Sequence, residues 1–389
     1  MSAMDASASD GRESPSASRG AVGERRLGRA TAVPVGLYCG QAGELFGKLL
    51  LFNFLKILTL GVFRFWAITR VRRYIWSRSE LLGDAFEYHG TALELFKGFL
   101  VALVVLGPLL LAYQVAATAL LAHSEWAAIA LNFLFFAVVF ALWPIGVYRA
   151  LKYKVSRTSW RGVRFHLDGG ARGYAGRWMG HTLLNMMTLG LTWPLYYASL
   201  MNYTLNNLRY GQVPVRSEVR AGDVTREVLA PLLLRIVLFP LAWIFNAMIE
   251  AGAVRAHAPT VRLGPARFQS VMRAGPIIRA KCLYFLAAGL ILAAAILGVE
   301  ISIDGGFDAL AQDEGASTRA VLIAAAVFML ASLLLGALHV ALVTQAMLRC
   351  FFDGLMASDL DRLEARAAEG EQFDRGEGLA DALGAGGAF

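Results

Sequence analysis

The chain has 389 residues, 57% of them hydrophobic and 17% charged, and its mean hydropathy is +0.52. Soluble domains are about 45–50% apolar and about 25% charged, so this much apolar surface calls for lipid as solvent and excludes a secreted disulfide scaffold, a coiled coil and a nucleic-acid-binding module. The formal charge of +8 then reads as basic loops that orient membrane helices.

In chain order, residues 1–35 are rich in Ala, Ser, Gly and Arg without periodicity, which predicts a disordered tail with no cleavable signal peptide. A membrane helix needs about 20 apolar residues to cross about 30 Å of hydrocarbon. Stretches free of Asp, Glu, Lys and Arg run over 98–124, 126–148, 178–208, 282–299 and 320–348. Two weaker apolar segments are interrupted by charge, 45–63 by Lys48 and Lys56, and 228–249 by Arg235. The expectation is an all-α polytopic membrane protein over 36–350, with six or seven membrane segments, followed by an acidic cytoplasmic tail at 353–389.

Lys and Arg set the orientation. They number six in 64–97, eight in 149–177, four in 209–227 and six in 250–281, but none in 122–125 and one in 300–319. The two poor loops, at His123-Ser124-Glu125 and around Asp304, Asp308, Asp313 and Glu314, face away from the cytoplasm in this reading. That puts the C-terminus in the cytoplasm. If 45–63 dips in and returns, the N-terminus joins it and the inside-to-outside basic count is 29 to 5, cleaner than the 24 to 10 of seven full crossings.

An internal repeat shows at an offset of 129 residues, with Gly40 matching Gly169, Thr59-Leu60-Gly61 matching Thr188-Leu189-Gly190, and Tyr74 matching Tyr203. It suggests one unit at about 36–160, a second at about 161–300 and a final hairpin at 282–348. Glycine weakens a helix and a Thr hydroxyl can bond back to the preceding turn, so each Thr-Leu-Gly reads as a kink or turn, with aromatic residues beyond it at the interface. Phe86-Glu87-Tyr88-His89-Gly90 and Val163-Arg164-Phe165-His166-Leu167 alternate at period two, which predicts short cytoplasmic strand-like loops.

Polar groups at membrane depth mark candidate sites. Here they are Asn53, Lys56, Thr59, Gly61, Asn185, Thr188, Gly190 and Arg235, with the Thr-Leu-Gly turns offering free backbone groups to a solute. Trp66, Arg70, Arg72, Arg73 and Tyr74 form a basic aromatic stretch suited to an anionic lipid surface. No histidine pair has helical metal-ligand spacing, no G-x-S-x-G nucleophile motif occurs, and no catalytic residue, metal or cofactor is expected. The expected partners are membrane lipids, with a second copy or another membrane protein as the protein partner, and no nucleic acid. Two functions compete: a small-solute or ion transporter, and a non-catalytic scaffold, envelope-maintenance or lipid-binding protein.

Leu58-Thr59-Leu60-Gly61, Phe65-Trp66-Ala67, Val71-Arg72-Arg73-Tyr74 and Phe86 through Thr91 resemble the YjgN-like family of bacterial inner-membrane proteins. Phe165 through Gly169, Leu189-Gly190-Leu191, Trp193-Pro194 and Asn206-Asn207 are similar to that family's second copy, and Gly376 through Ala382 to its ending. The chain departs from the pattern where Phe65-Trp66 and the inverted Trp193-Pro194 replace Pro-Trp, and where Leu200-Met201-Asn202-Tyr203 replaces an Arg-rich stretch. The resemblance implies an inner-membrane, multi-pass protein and a domain of unknown function.

Overall fold

The computed structural model describes residues 32–302, 317–360 and 363. Most of the expected N-terminal tail, the acidic loop around Asp304–Glu314 and nearly all of the expected acidic tail lie outside the described residues.

The elements follow one rhythm, a pair of helices and then a pair of short strands. The chain opens with β1 (Val33–Pro34) and β2 (Gly36–Tyr38). The first unit is α1 (Ala42–Leu58), α2 (Arg64–Ser77), β3 (Ser79–Leu81) and β4 (Asp84–Tyr88). The second is α3 (Ala92–His123), α4 (Glu125–Ser156), β5 (Thr158–Trp160) and β6 (Val163–Leu167). The third is α5 (Ala171–Met187), α6 (Trp193–Asn206), β7 (Leu208–Tyr210) and β8 (Val213–Arg216). The fourth is α7 (Ala221–Val237), α8 (Ala242–His257), β9 (Arg262–Leu263) and β10 (Ala266–Ser270). The fifth is α9 (Gly275–Ser302), α10 (Ser317–His339), a π-helical turn (Val340–Thr344), α11 (Gln345–Asp353) and β11 (Leu355–Ser358).

The eleven strands form one antiparallel sheet in the order β1-β11-β10-β9-β8-β7-β6-β5-β4-β3-β2. Its two ends, β1 and β2, are halves of a single segment joined at Val35. The Val35 N–H donates to the Leu355 carbonyl at 3.1 Å, and its own carbonyl accepts from the Leu82 N–H at 2.7 Å. The sheet therefore bends round into a ring, and the N-terminal strand supplies the partner that β11 lacks in its own unit. Closure of this kind removes free strand edges.

Two-residue turns join the hairpins. Leu82-Gly83 and Arg161-Gly162 have positive φ at both positions (53° and 79°, 50° and 75°), as a type I′ turn requires. The ring's interior is filled by Val35, Leu81, Trp160, Tyr210, Val215, Leu263, Ala266, Ala357 and Leu360, which form one core drawn from all five units. Together they make a packed hub.

The helix pairs surround this hub, the first helix of each unit packing on the second helix of the unit before it: α3 on α2, α5 on α4, α7 on α6, α9 on α8, and α1 on α10. Among the described residues four helical stretches are long and apolar enough to cross a membrane: Ala92–His123, Glu125–Ser156, Gly275–Ile301 and Val321–Asp353. The pairs of the first, third and fourth units are shorter. A 17-residue helix such as α1 is about 25 Å long, short of a full crossing. Their tips are apolar and bare, with Leu60 95%, Leu189 75% and Phe239 77% exposed.

The all-α expectation of six or seven segments is thus corrected. The segment 178–208 is not one span, because Leu189 and Gly190 take φ of 53° and 90° and turn the chain back. The segment 45–63 reverses in the same way at Leu60 and Gly61 (49° and 90°), and 228–249 reverses through the short 3-10 helix Phe239–Leu241. What hydropathy reads as one crossing is in each case a half-length hairpin. The two alternating segments at 86–90 and 163–167 do enter strands β4 and β6, but the other strands hold two to five residues, too few for alternation to show a ring.

Candidate functional site: an apolar cavity and three helix-hairpin tips

The three short first helices, α1, α5 and α7, are all 17 residues long, and the fifteenth residue of each is polar: Lys56, Asn185 and Arg235. In α1, Asn53 is buried and its amide is fully engaged. Its Nδ2 donates to the Leu333 carbonyl of α10 at 2.7 Å, and its Oδ1 accepts from Lys56 Nζ at 2.9 Å. Thr59 Oγ1 donates to the Leu55 carbonyl at 2.7 Å and accepts from the Phe63 N–H at 2.9 Å.

In the third unit Thr188 Oγ1 bonds the Leu184 carbonyl at 2.9 Å and the Thr192 hydroxyl at 2.9 Å, and Thr192 Oγ1 reaches Asn185 Oδ1 at 3.4 Å. Arg235 of α7 leans over this turn. Its Nη1 donates to Asn246 Oδ1 of α8 at 3.4 Å, and its Nη2 lies so near Gly190 that a methyl built there would sit 2.6 Å from it and push the guanidinium aside.

The eight candidate polar residues therefore form two groups. Asn53, Lys56, Thr59 and Gly61 lie between the first and fifth units, and Asn185, Thr188, Gly190 and Arg235 between the third and fourth. The Thr-Leu-Gly turns do not offer free donors. The Gly61 N–H donates to the Lys56 carbonyl and the Gly190 N–H to the Asn185 carbonyl, both at 2.7 Å, and the N–H groups of Leu60 and Leu189 are likewise taken.

The expected lipid-interface set also divides. Arg72 is wholly buried, donating from Nη1 to the Tyr88 hydroxyl at 3.1 Å, and Tyr74 is buried, its hydroxyl accepting from the Gln41 N–H at 3.0 Å. Arg72 holds α2 to the ring through β4, and Tyr74 holds it to the start of α1; both are buried within the fold. Arg70 and Arg73 are exposed, Arg73 donating to the Gly90 carbonyl at 3.0 Å, and Trp66 is half-buried against Phe96.

Sequence reasoning did not foresee an apolar cavity. A cavity of about 430 Å³ lies where the ends of α2, α4 and α11 meet the ring. Trp76, Phe86, Leu151, Phe165, Leu348 and Phe352 wall it, and its surface is almost entirely apolar. Both alternating segments flagged in the sequence contribute, through Phe86 and Phe165. The wall from 348–352 stands more than 180 residues away, and only ring closure brings it there. Volumes of about 300–1,000 Å³ with apolar walls are typical of ligand pockets.

A second unforeseen feature joins the third and fourth units. His257, at the end of α8, has Nε2 2.8 Å from Ser217 Oγ and Nδ1 3.3 Å from the Tyr197 hydroxyl. Ser217 Oγ donates to Asn202 Oδ1 at 2.9 Å, so Nε2 carries the imidazole proton towards serine and Nδ1 accepts from tyrosine. Burial of this ring pushes its pKa from 6.5 down to about 4. The unfolded chain takes up the proton below about 6.5 and the folded chain only near 4. The stabilisation is therefore complete above pH 6.5 and is lost as pH falls towards 4. Thermal melts of the detergent-solubilised protein should show a fall in midpoint across that window, worth on the order of 3 kcal/mol, and His257→Gln should flatten it. An identical slope in the variant would assign the acid sensitivity elsewhere.

Among the described residues no three His, Cys, Asp or Glu side chains come together as metal ligands. Residues 36–262 match the profile of a family described as "Bacterial protein of unknown function (DUF898)". A curated relative, "Inner membrane protein YjgN" of Salmonella typhimurium, is 25% identical over 177 residues, covering 46% of this chain and 42% of the relative. The chain thus matches less than half the length of that protein. No solved structure matches.

Proposed function

The chain belongs to the DUF898 family of bacterial proteins, and from that premise we propose that it is an inner-membrane protein that holds an apolar chain, such as a lipid acyl tail, in the cavity beneath its ring. The membrane location is supported by the four long apolar helices and by the name of the Salmonella relative. The basic loops that carry the ring support a cytoplasmic ring, and with it a cytoplasmic C-terminus, since β11 is one of its strands. We read the units as copies of one module. In support, α1, α2, β3 and β4 start 129 residues before α5, α6, β7 and β8, and α1 equals α5 and α2 equals α6 in length.

The observation that carries the lipid-binding reading is the apolar cavity, set beside a ring interior closed by Trp160 and Tyr210. A packed hub favours holding over conducting. The rival reading, transport of a small solute or ion, draws on the polar tips, above all Lys56.

Native mass spectrometry of the full chain, extracted gently from its own membrane, tests the proposal. The expected result is co-purifying lipid on the native protein. Its occupancy should fall at least several-fold when Leu151→Trp and Leu348→Trp fill the cavity, with the thermal midpoint held or raised. Unchanged lipid occupancy in the filled variant would sink the idea.

A further inference from the structure

Residues 45–79 carry seven basic side chains and no acid. Most of these cations are satisfied within the fold. Lys48 and Arg78 pair with Glu44 at 2.7 and 3.4 Å, Arg72 and Arg73 donate to Tyr88 and Gly90, and Arg70 lies over the Phe52 and Phe63 rings at 5.9 and 5.5 Å. Lys56 differs. Among the described residues its one hydrogen-bond partner is Asn53 Oδ1, and no carboxylate lies within ion-pair distance. Arg64, at the start of α2, adds charge of the same sign nearby.

An ammonium has three N–H donors, and a cation set among apolar helices is costly unless paired. Lys56 also borders open space. A cavity of about 220 Å³ lies between α1, α2 and α10, walled by Asn53, Ala67, Val71, Leu333, Gly336 and Ala337. Asn53 is pinned by its bond to the Leu333 carbonyl, so it fixes the ammonium at the cavity wall while leaving two donors unused. The equivalent positions in the other short helices are spent differently: Asn185 inside its own turn, and Arg235 on Asn246 over Gly190.

We propose that the Lys56 cavity is a binding site for a carboxylate borne on an apolar body. The single cation with two spare donors matches a monoanion, and a phosphate dianion would ask for more donors than the wall holds. Apart from Lys56, Asn53 and Ser332, whose hydroxyl donates to the Met329 carbonyl at 2.8 Å, the lining is apolar and selects the hydrocarbon attached to it. This site is separate from the cavity beneath the ring and does not depend on that cavity holding lipid.

The test uses the full chain in phosphatidylcholine vesicles, with spin-labelled stearate as probe under alkaline conditions and identically labelled phosphatidylcholine as reference. The native protein should immobilise stearate in preference to the reference lipid. Lys56→Gln should weaken that preference about tenfold, the loss expected for one charge-assisted hydrogen bond. Lys56→Arg should keep most of it, Ala337→Phe should abolish it with Lys56 in place, and Arg235→Gln should leave it unchanged.

Competition separates the sources of the carboxylate. Displacement by laurate alone assigns a fatty acid, and displacement by butyrate as well assigns a small carboxylic solute. Dodecanol competing as well as laurate would overturn the proposal, and so would native preference in Lys56→Gln. If Lys56→Gln does not fold, Ala337→Phe carries the test. Filling the ring-side cavity with Leu151→Trp and Leu348→Trp should leave stearate preference intact, so the two sites fail independently.

Discussion

Trp160→Ala should lower the thermal midpoint of the purified protein by on the order of 10 °C, the largest effect of any single core truncation in the ring. Trp160 is 1% exposed and is the largest fully buried side chain. Its Nε1 donates to the carbonyls of Leu81 and Asp84, both at 3.3 Å, so it ties the second hairpin to the first. Its own carbonyl accepts from the Tyr210 hydroxyl at 2.9 Å, and the two rings pack at 5.5 Å, which ties it to the third.

Truncation of a buried Trp costs about 3–5 kcal/mol through lost transfer and an unfilled cavity. The two carbonyls it serves also lose a donor. Trp160→Phe should recover the packing but not those bonds. The variant should still reach the membrane, because the four long helices do not depend on the ring for their apolarity. A midpoint within a degree or two of native would mean that the ring is not the cooperative core of the fold.

Gly36→Val should open the ring at its seam. A methyl built on Gly36 overlaps the Phe352 carbonyl oxygen and lies 3.3 Å from the Leu355 Cβ. The obstacle is backbone, so no rotamer change relieves it, and overpacking of this kind costs about 1–3 kcal/mol or more. The strand segment must retreat from β11, and Val35 then loses its bond to the Leu355 carbonyl. Hydrogen exchange over 33–38 and 355–358 should speed up at least tenfold, while exchange in α3 and α4 stays at its native rate. Leu37→Val, at a half-exposed position on the same strand, is the control and should change neither. Native protection in Gly36→Val would show that the seam closes by some other route.

The membrane character and the four longest apolar runs were legible in the residues, but the count of six or seven segments was not the one the fold shows. The runs 98–124 and 126–148 became α3 and α4 because nothing in them stops a helix, Pro108 and Pro144 being carried within helices. The reading that 45–63 dips and returns matches the reversal at Leu60-Gly61. In 178–208 the Thr-Leu-Gly turn reads the same way, yet hydropathy counts one span; Leu189-Gly190 reverses the chain and Pro194 starts the returning helix. Arg72 and Tyr74 show the opposite failure. In sequence they look like Arg70 and Arg73, yet α2 turns alternate faces to the ring and to the outside, and only packing decides which basic residue is buried.

Sequence by itself determined the solvent this chain requires, the four long apolar runs and the weak points at the two Thr-Leu-Gly turns. Those properties follow from local composition and from backbone angles that a few residues impose. The tertiary structure decided the ring, the cavity beneath it and the setting of Lys56. Each depends on contacts across great chain separation: Val33 with Ala357, Asn53 with Leu333, and Trp76 facing Leu348. Alternation announces two of these short strands but not their pairing, and closure gives each one a partner on both sides.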